Sequence, residues 1–167
     1  MLFILLSSYT WGKTYYVAPT GGSDANPGTI TQPWATWQMA FNTARAGDTV
    51  FFRGGVWYPA SGVNYLPERG KGYNGTYDNL IVYTNYPGEM PILDCSNFPS
   101  STSSTSGFNA EDVTYVKFKG LTIRNVRQTT NAQYIVGAGW TNSGVIYLEN
   151  VTSTGHGGAG IRINTYD

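Results

Sequence analysis

The fold turns on VTYVKFKGLTIRNV, Val113–Val126, read beside SGVIYLENV, Ser143–Val151. Both alternate apolar and polar residues with the period of two that marks a half-buried strand. Shifting the chain by twenty-five residues lays Leu121 on Ile146, Ile123 on Leu148, Asn125 on Asn150, Val126 on Val151 and Val136 on Ile161. A fixed period of this size is the signature of a solenoid. The pattern predicts a coil of about twenty-five residues whose short strands stack in parallel sheets. Leu121, Ile123, Ile146 and Leu148 point inward; Thr122, Arg124, Tyr147 and Glu149 point outward. Asn125 and Asn150 sit at bends, where asparagine tolerates left-handed backbone and stacked side-chain amides can bond one another.

Strand-like runs bounded by Gly, Asn, Pro or Ser recur on either side: TYYVA, DTVFFRGG, NLIVYT, PILDC, YIVGA and AGIRIN. One segment differs. From Trp34 to Arg45 the residues Trp37, Ala40, Phe41 and Ala44 fall on one helical face, and Gly47 is placed to stop the helix. A single coil cannot bury its own apolar face, so this helix is expected to cap the coil end. GGSDANPG and SSTSSTSG, Ser100–Gly107, read as loops. The fold class is therefore all-β, a parallel β-helix with a short N-terminal capping helix. Residues 1–13 read as the remnant of a secretory signal, a short apolar stretch followed by small and polar residues without a preceding Lys or Arg. Residues 14–167 form the coils.

Composition narrows the function classes. Ten Lys and Arg balance ten Asp and Glu among 167 residues, so nothing attracts a phosphate backbone over long range and nucleic acid is not an expected partner. Thirteen Tyr, five Trp and twenty-one Gly suit a turn-rich β-fold with polar aromatics at its surface. The apolar leader is too short to span a bilayer, and a monomer free of the membrane after signal removal is expected. Cys95, the lone cysteine, lies in the apolar run PILDC and reads as a small buried hydrophobe.

TYYVAPTGGSDANPG, the helix ending ARAGDTVFFRGGVWY, then VTYVKFKGLTIRNV and GAGIRIN together resemble the N-terminal region of secreted bacterial right-handed parallel β-helix proteins, above all polysaccharide lyase family 9. The resemblance covers everything after the leader. It implies a secreted or cell-surface enzyme that cuts acidic, pectate-like polysaccharide by β-elimination, with calcium and a lysine base. In that family the calcium aspartates and the base lie C-terminal to the GAGIRIN-type strand. The chain is thus expected to be incomplete at its C-terminus and inactive alone, with no catalytic residue and no bound metal of its own.

β-Elimination takes a proton from the carbon beside a uronate carboxylate, so it needs that charge neutralised and a base within about 3 Å. Calcium asks for six to eight oxygen ligands, and the acids here are scattered. DANPG, Asp24–Gly28, lacks a later acidic ligand and reads as a loop. Strand parity sends Lys117, Lys119, Arg124 and Arg162 outward, where cations suit an anionic polymer, and Tyr147 and Trp140 could stack on sugar rings. These six are the candidate substrate contacts. The competing reading makes Arg124 an ion-pair partner of Glu149 one coil away. NGT at Asn74 and NVT at Asn150 match the glycosylation pattern but carry no weight. His156, in TGHGGAGIRINTYD, Thr154–Asp167, reads as a glycine-flanked corner residue, since no Ser, Cys or Asp stands at relay spacing. Ile161 and Ile163 then point inward and Arg162 outward. A non-catalytic carbohydrate-binding or adhesion β-helix has the same fold, as does a β-helix hydrolase or another uronate lyase, and fold alone does not separate them.

Overall fold

The computed structural model describes residues 12–61, 63–65, 74–98, 105–126, 135–156 and 159–164. The leader through Trp11, Ser100–Ser104 of the serine-rich stretch, and Gly157 and Gly158 lie outside the described residues. In chain order the elements are β1 (Thr14–Val17), α1 (Trp37–Thr43), β2 (Thr49–Phe52), β3 (Gly55–Trp57), β4 (Val63–Tyr65), β5 (Ile81–Asn85), β6 (Pro91–Asp94), β7 (Thr105–Glu111), β8 (Val116–Lys119), β9 (Thr122–Arg124), β10 (Ile135–Thr141), β11 (Ile146–Glu149), β12 (Thr152–Thr154) and β13 (Ala159–Asn164).

These strands form three parallel sheets, β1-β2-β5-β8-β11, β3-β6-β9-β12 and β4-β7-β10-β13. After β1 and α1, each turn of the chain contributes one strand to each sheet, which is a parallel β-helix. The repeat, however, is not twenty-five residues. Val116 lies opposite Ile146, Thr122 opposite Thr152 and Thr105 opposite Ile135, thirty residues apart in each case, while Ile81 lies opposite Val116, thirty-five apart. The shorter shift lays β9 on β11, strands of different sheets, and only its last match, Val136 on Ile161, falls on paired strands, β10 and β13, where the register sets Val136 opposite Ala159. It looks convincing because every corner has the same chemistry. Left-handed residues recur as Asp112 and Asn142, Gly120 and Asn150, and Asn125 and Gly155. The bend partner of Asn150 is therefore Gly120, and that of Asn125 is Gly155. Gly120 is required twice over, since its φ is 63° and a Cβ there would stand 2.1 Å from the Asn85 side-chain oxygen.

The inward assignments of single residues hold. Leu121 and Ile123 are buried, Ile146 and Leu148 pack partly against the core, and Tyr147 is exposed. Ile161 and Ile163 continue the inward rows of Ala138 and Trp140 on edge strand β13 and stay about half exposed. Thr105–Gly107, expected in a loop, open β7 instead. No periodicity betrays it, because Gly107 is small for a packing reason: a Cβ there would meet Cys95 Sγ, Gly137 O and Ile123 at 2.9 Å.

Helix α1 is shorter than expected. Ala44 is already extended, with ψ 145°, and Gly47, φ 88°, belongs to the turn into β2. Its N-terminus is capped by Thr36, whose hydroxyl accepts from Met39 N–H at 3.1 Å. The predicted face is the buried one: Trp37, Ala40, Phe41 and Ala44. Phe41 stands edge-on to Tyr83 at 4.9 Å and to Phe108 at 5.4 Å, and Phe108 and Phe118 pass the contact on to Trp140. An aromatic column thus runs from the helix through the coils, and edge-to-face pairing adds to its burial energy.

Candidate functional site

The outer face of β1-β2-β5-β8-β11 holds the most chemistry. Register sets Lys117 opposite Tyr147 and Lys119 opposite Glu149. Glu149 accepts from both lysines, 2.6 Å to each ammonium, and the pair draws its carboxyl down to about 2. Two cations share one anion here, with exposed Tyr147 alongside. This surface suits a linear anion: the lysines supply attraction and Tyr147 supplies a ring face.

The other candidates are not brought to this face. Arg124 lies in β9, on the second sheet, and its partner is Asp94 rather than Glu149, with Nε to Oδ2 at 2.7 Å. Asp94 is buried, and burial alone would raise its carboxyl. Donation from Asn125, Ser96 and Arg124 outweighs that and holds it at about 2. The Asn125 amide is therefore occupied by Asp94, 3.1 Å from each carboxylate oxygen, and not by another asparagine. Arg162 lies in β13, on the third sheet. Trp140 is a correction: only 1 % exposed, it sits in the aromatic column and presents no face to a sugar. Two residues on from buried Ala138, it shares the inward side of β10.

A second cluster on the same outer face was not singled out from sequence. Tyr16 stacks on Phe51 at 5.7 Å, and Tyr86 meets Phe51 edge-on at 5.8 Å. Arg53 lies 4.7 Å over the Tyr86 ring and grips Glu89 through Nε and Nη2. The hydrogen bond from Arg53 lowers Glu89, and the same pairing raises Arg53. The signal existed: Tyr16 and Phe51 fall between inward neighbours in TYYVA and TVFF.

The described carboxylates do not fit a calcium cage. Asp24 accepts from Ala35 N, Thr36 N and the Thr36 hydroxyl, which makes DANPG a clip on the helix start. Asp48 accepts from Lys13 N and Arg45 N. Glu89, Asp94 and Glu149 are held as above, and no group of three or more His, Cys, Asp or Glu converges among the described residues. Cys95 is buried and its thiol is pushed up to about 12 by burial and by the Asp94 charge, so it is an inert hydrophobe. The Asn74 amide is engaged, donating to Asp112 O and accepting from Thr114 N.

His156 occupies a corner, as its glycines suggest, but it does have a serine partner. Its Nδ1 accepts from Val126 N–H at 3.1 Å, leaving the proton on Nε2, which lies 2.9 Å from Ser153 Oγ. Ser153 in turn donates to Gly160 O at 2.5 Å. With its hydroxyl proton directed at a carbonyl and Nε2 already protonated, the pair is a brace between coils and not a nucleophile with a base. The space for it is provided by Gly137, where a Cβ would stand 2.2 Å from both His156 Nε2 and Ser153 Oγ. Burial lowers the imidazole pKa.

Three parallel sheets coiled behind an aromatic-packed helix define the parallel β-helix class. A family model described as "Pel9A-like, right handed beta helix region" matches residues 15–167, and the chain belongs to that family. It is 35% identical over 86 residues to pectate lyase PEL9 of Emericella nidulans, spanning 52% of this chain and 19% of the relative. With the uncharacterized protein YwoF of Bacillus subtilis it shares 27% over 126 residues, 75% of this chain and 25% of that one. The chain thus spans a quarter or less of the curated relatives it matches. Among solved structures, pectate lyase Pel9A superposes with a TM-score of 0.67 at 19% identity, over 91% of this chain and 36% of that one. The GH136 lacto-N-biosidase of Eubacterium ramulus gives 0.64 at 20%, over 84% and 26%. At these identities the structures share the fold, and the fold serves different carbohydrate chemistries.

Proposed function

We propose that residues 14–167 are the first coils of a secreted polysaccharide lyase that cuts an acidic, pectate-like polymer by calcium-dependent β-elimination, and that these coils bind polymer while the calcium ligands and the base lie outside the described residues. Family membership supports the class of protein. The observation that carries the substrate reading is the lysine pair around Glu149: Lys117 and Lys119 face outward beside Tyr147 with one anion between them. A polymer carboxylate competes for the same two ammonium groups, so the face binds anionic chains in preference to neutral ones. Arg124 and Arg162 stand on other sheets and are not part of this contact.

Retardation of the protein in gels containing pectate tests the reading. Replacing Lys117 and Lys119 together by Ala is expected to abolish most of the retardation, and rising salt is expected to weaken what the wild type shows. Equal retardation of the variant and the wild type, or none of the wild type, would remove the lysine pair from the substrate site.

A further inference from the structure

Beside the Arg53–Glu89 pair lies an open cleft of about 350 Å³ lined by Ala18, Pro19, Thr20, Arg53, Gly54 and Glu89. Two features make it more than a surface dent. The first is that Arg53 is held in place before any ligand arrives: its backbone N–H donates to Val17 O at 2.8 Å, its guanidinium lies over Tyr86, and Nε and Nη2 are fixed by Glu89. The second is an imbalance between donors and acceptors. Glu89 already accepts from Arg53 Nε, Arg53 Nη2 and Gly54 N, which uses most of the lone-pair directions of a carboxylate. A guanidinium carries five N–H donors. Nη1 and the second hydrogen of Nη2 receive no acceptor among the described residues, and the Arg53 side chain is 36% exposed. The cleft therefore offers oriented donors beyond those that Glu89 takes up, and Arg53, lying over Tyr86, joins it to the Tyr16, Phe51 and Tyr86 ring cluster.

We propose that this cleft is a saccharide subsite, distinct from the lysine pair, in which ring oxygens, hydroxyls or a carboxylate of one sugar residue accept from the Arg53 guanidinium while Tyr16 and Tyr86 border the ring. It rests on the reading of the chain as polysaccharide-binding and extends it. By register the outer row runs Tyr16, Phe51, Thr84, Lys119, Glu149. At roughly 4.8 Å per strand the two contacts are separated by about 10–15 Å along the coil axis. One linear oligosaccharide lying along the axis reaches both.

Calorimetric titration of the whole protein with a hexa-galacturonate and with neutral xylohexaose tests it. Thr20 is exposed at the cleft rim, so Thr20→Trp fills the cleft without touching the core, and Arg53→Lys keeps the charge but loses the fork. Both variants are expected to weaken oligosaccharide binding about tenfold with an unchanged unfolding midpoint. Unaltered affinity in both variants would overturn the subsite. If the Lys117/Lys119 double variant then still loses affinity, the substrate reading survives that failure; if the wild type binds neither sugar, both fall. Equal losses for the two oligosaccharides assign hydroxyl recognition, and losses confined to the galacturonate assign a carboxylate on Arg53; either supports the proposal.

Discussion

Asp94 shows how a single side chain locks neighbouring coils together. It is buried at the end of β6, opposite Arg124 of the neighbouring β9, with Arg124 and the Asn125 amide among its donors. Asp94→Ala is expected to destabilise the fold by about 2–3 kcal/mol, because one charged donor, Arg124, and two neutral ones, Asn125 and Ser96 N–H, lose their acceptor; urea unfolding measures it. The carboxyl is held at about 2, below its unfolded value. Its stabilisation is therefore complete above pH 4 and lost as the pH falls from about 4 towards 2, and Asp94→Asn should flatten that slope. His156 acts in another window. Burial lowers its pKa, so the neutral ring belongs to the folded state. Stability from it is present above about pH 6.5, the unfolded value, and declines as the pH falls through the folded one. Amide exchange at Val126, followed against pH in wild type and His156→Gln, reads this brace. Neither residue's partner was legible in the sequence: Arg124 outward and His156 at a corner follow from parity and glycine, but Asp94 and Ser153 become neighbours only through the register.

At the scale of the element, strand identity was plain and strand pairing was not. GLTIRNV and SGVIYLENV both form strands with the expected faces, yet they belong to different sheets. Each corner ends in a residue with positive φ, so a shift that matches unlike corners scores as well as one that matches like ones. Disulfide trapping decides between the registers. Thr122→Cys with Thr152→Cys is expected to cross-link readily on mild oxidation, since adjacent strands bring the Cα atoms within disulfide reach. Thr122→Cys with Tyr147→Cys, the pair that a twenty-five-residue coil demands, should not. Gly137→Ala belongs here too. Its methyl would enter the space of His156 and Ser153 and is expected to lower stability by about 1–3 kcal/mol through overpacking, visible as a depressed unfolding midpoint.

Over the whole molecule, the capping helix was legible because its apolar face has a 3.6-residue period that no strand shares. Its role is larger than a cover. Trp37 and Phe41 enter the aromatic column that reaches Trp140, so Phe41→Ala is expected to cost about 3–5 kcal/mol, as seen in denaturant melts. The column also accounts for the one candidate placed on the wrong side: an indole suits a sugar face and a core alike, and Trp140, two residues on from buried Ala138, packs into the core. What remained of the predicted surface, Lys117, Lys119 and Tyr147, lies on one sheet with Arg53 and its rings, and the direction of that row is the direction of the proposed polymer. The most direct test of the account is the product formed from polygalacturonate by the protein together with any coils that follow residue 167. The account predicts calcium-dependent release of unsaturated uronate ends, absent after chelation and absent for residues 14–167 alone. Saturated reducing ends as the sole product, no cleavage at all, or unsaturated product from residues 14–167 alone would contradict it.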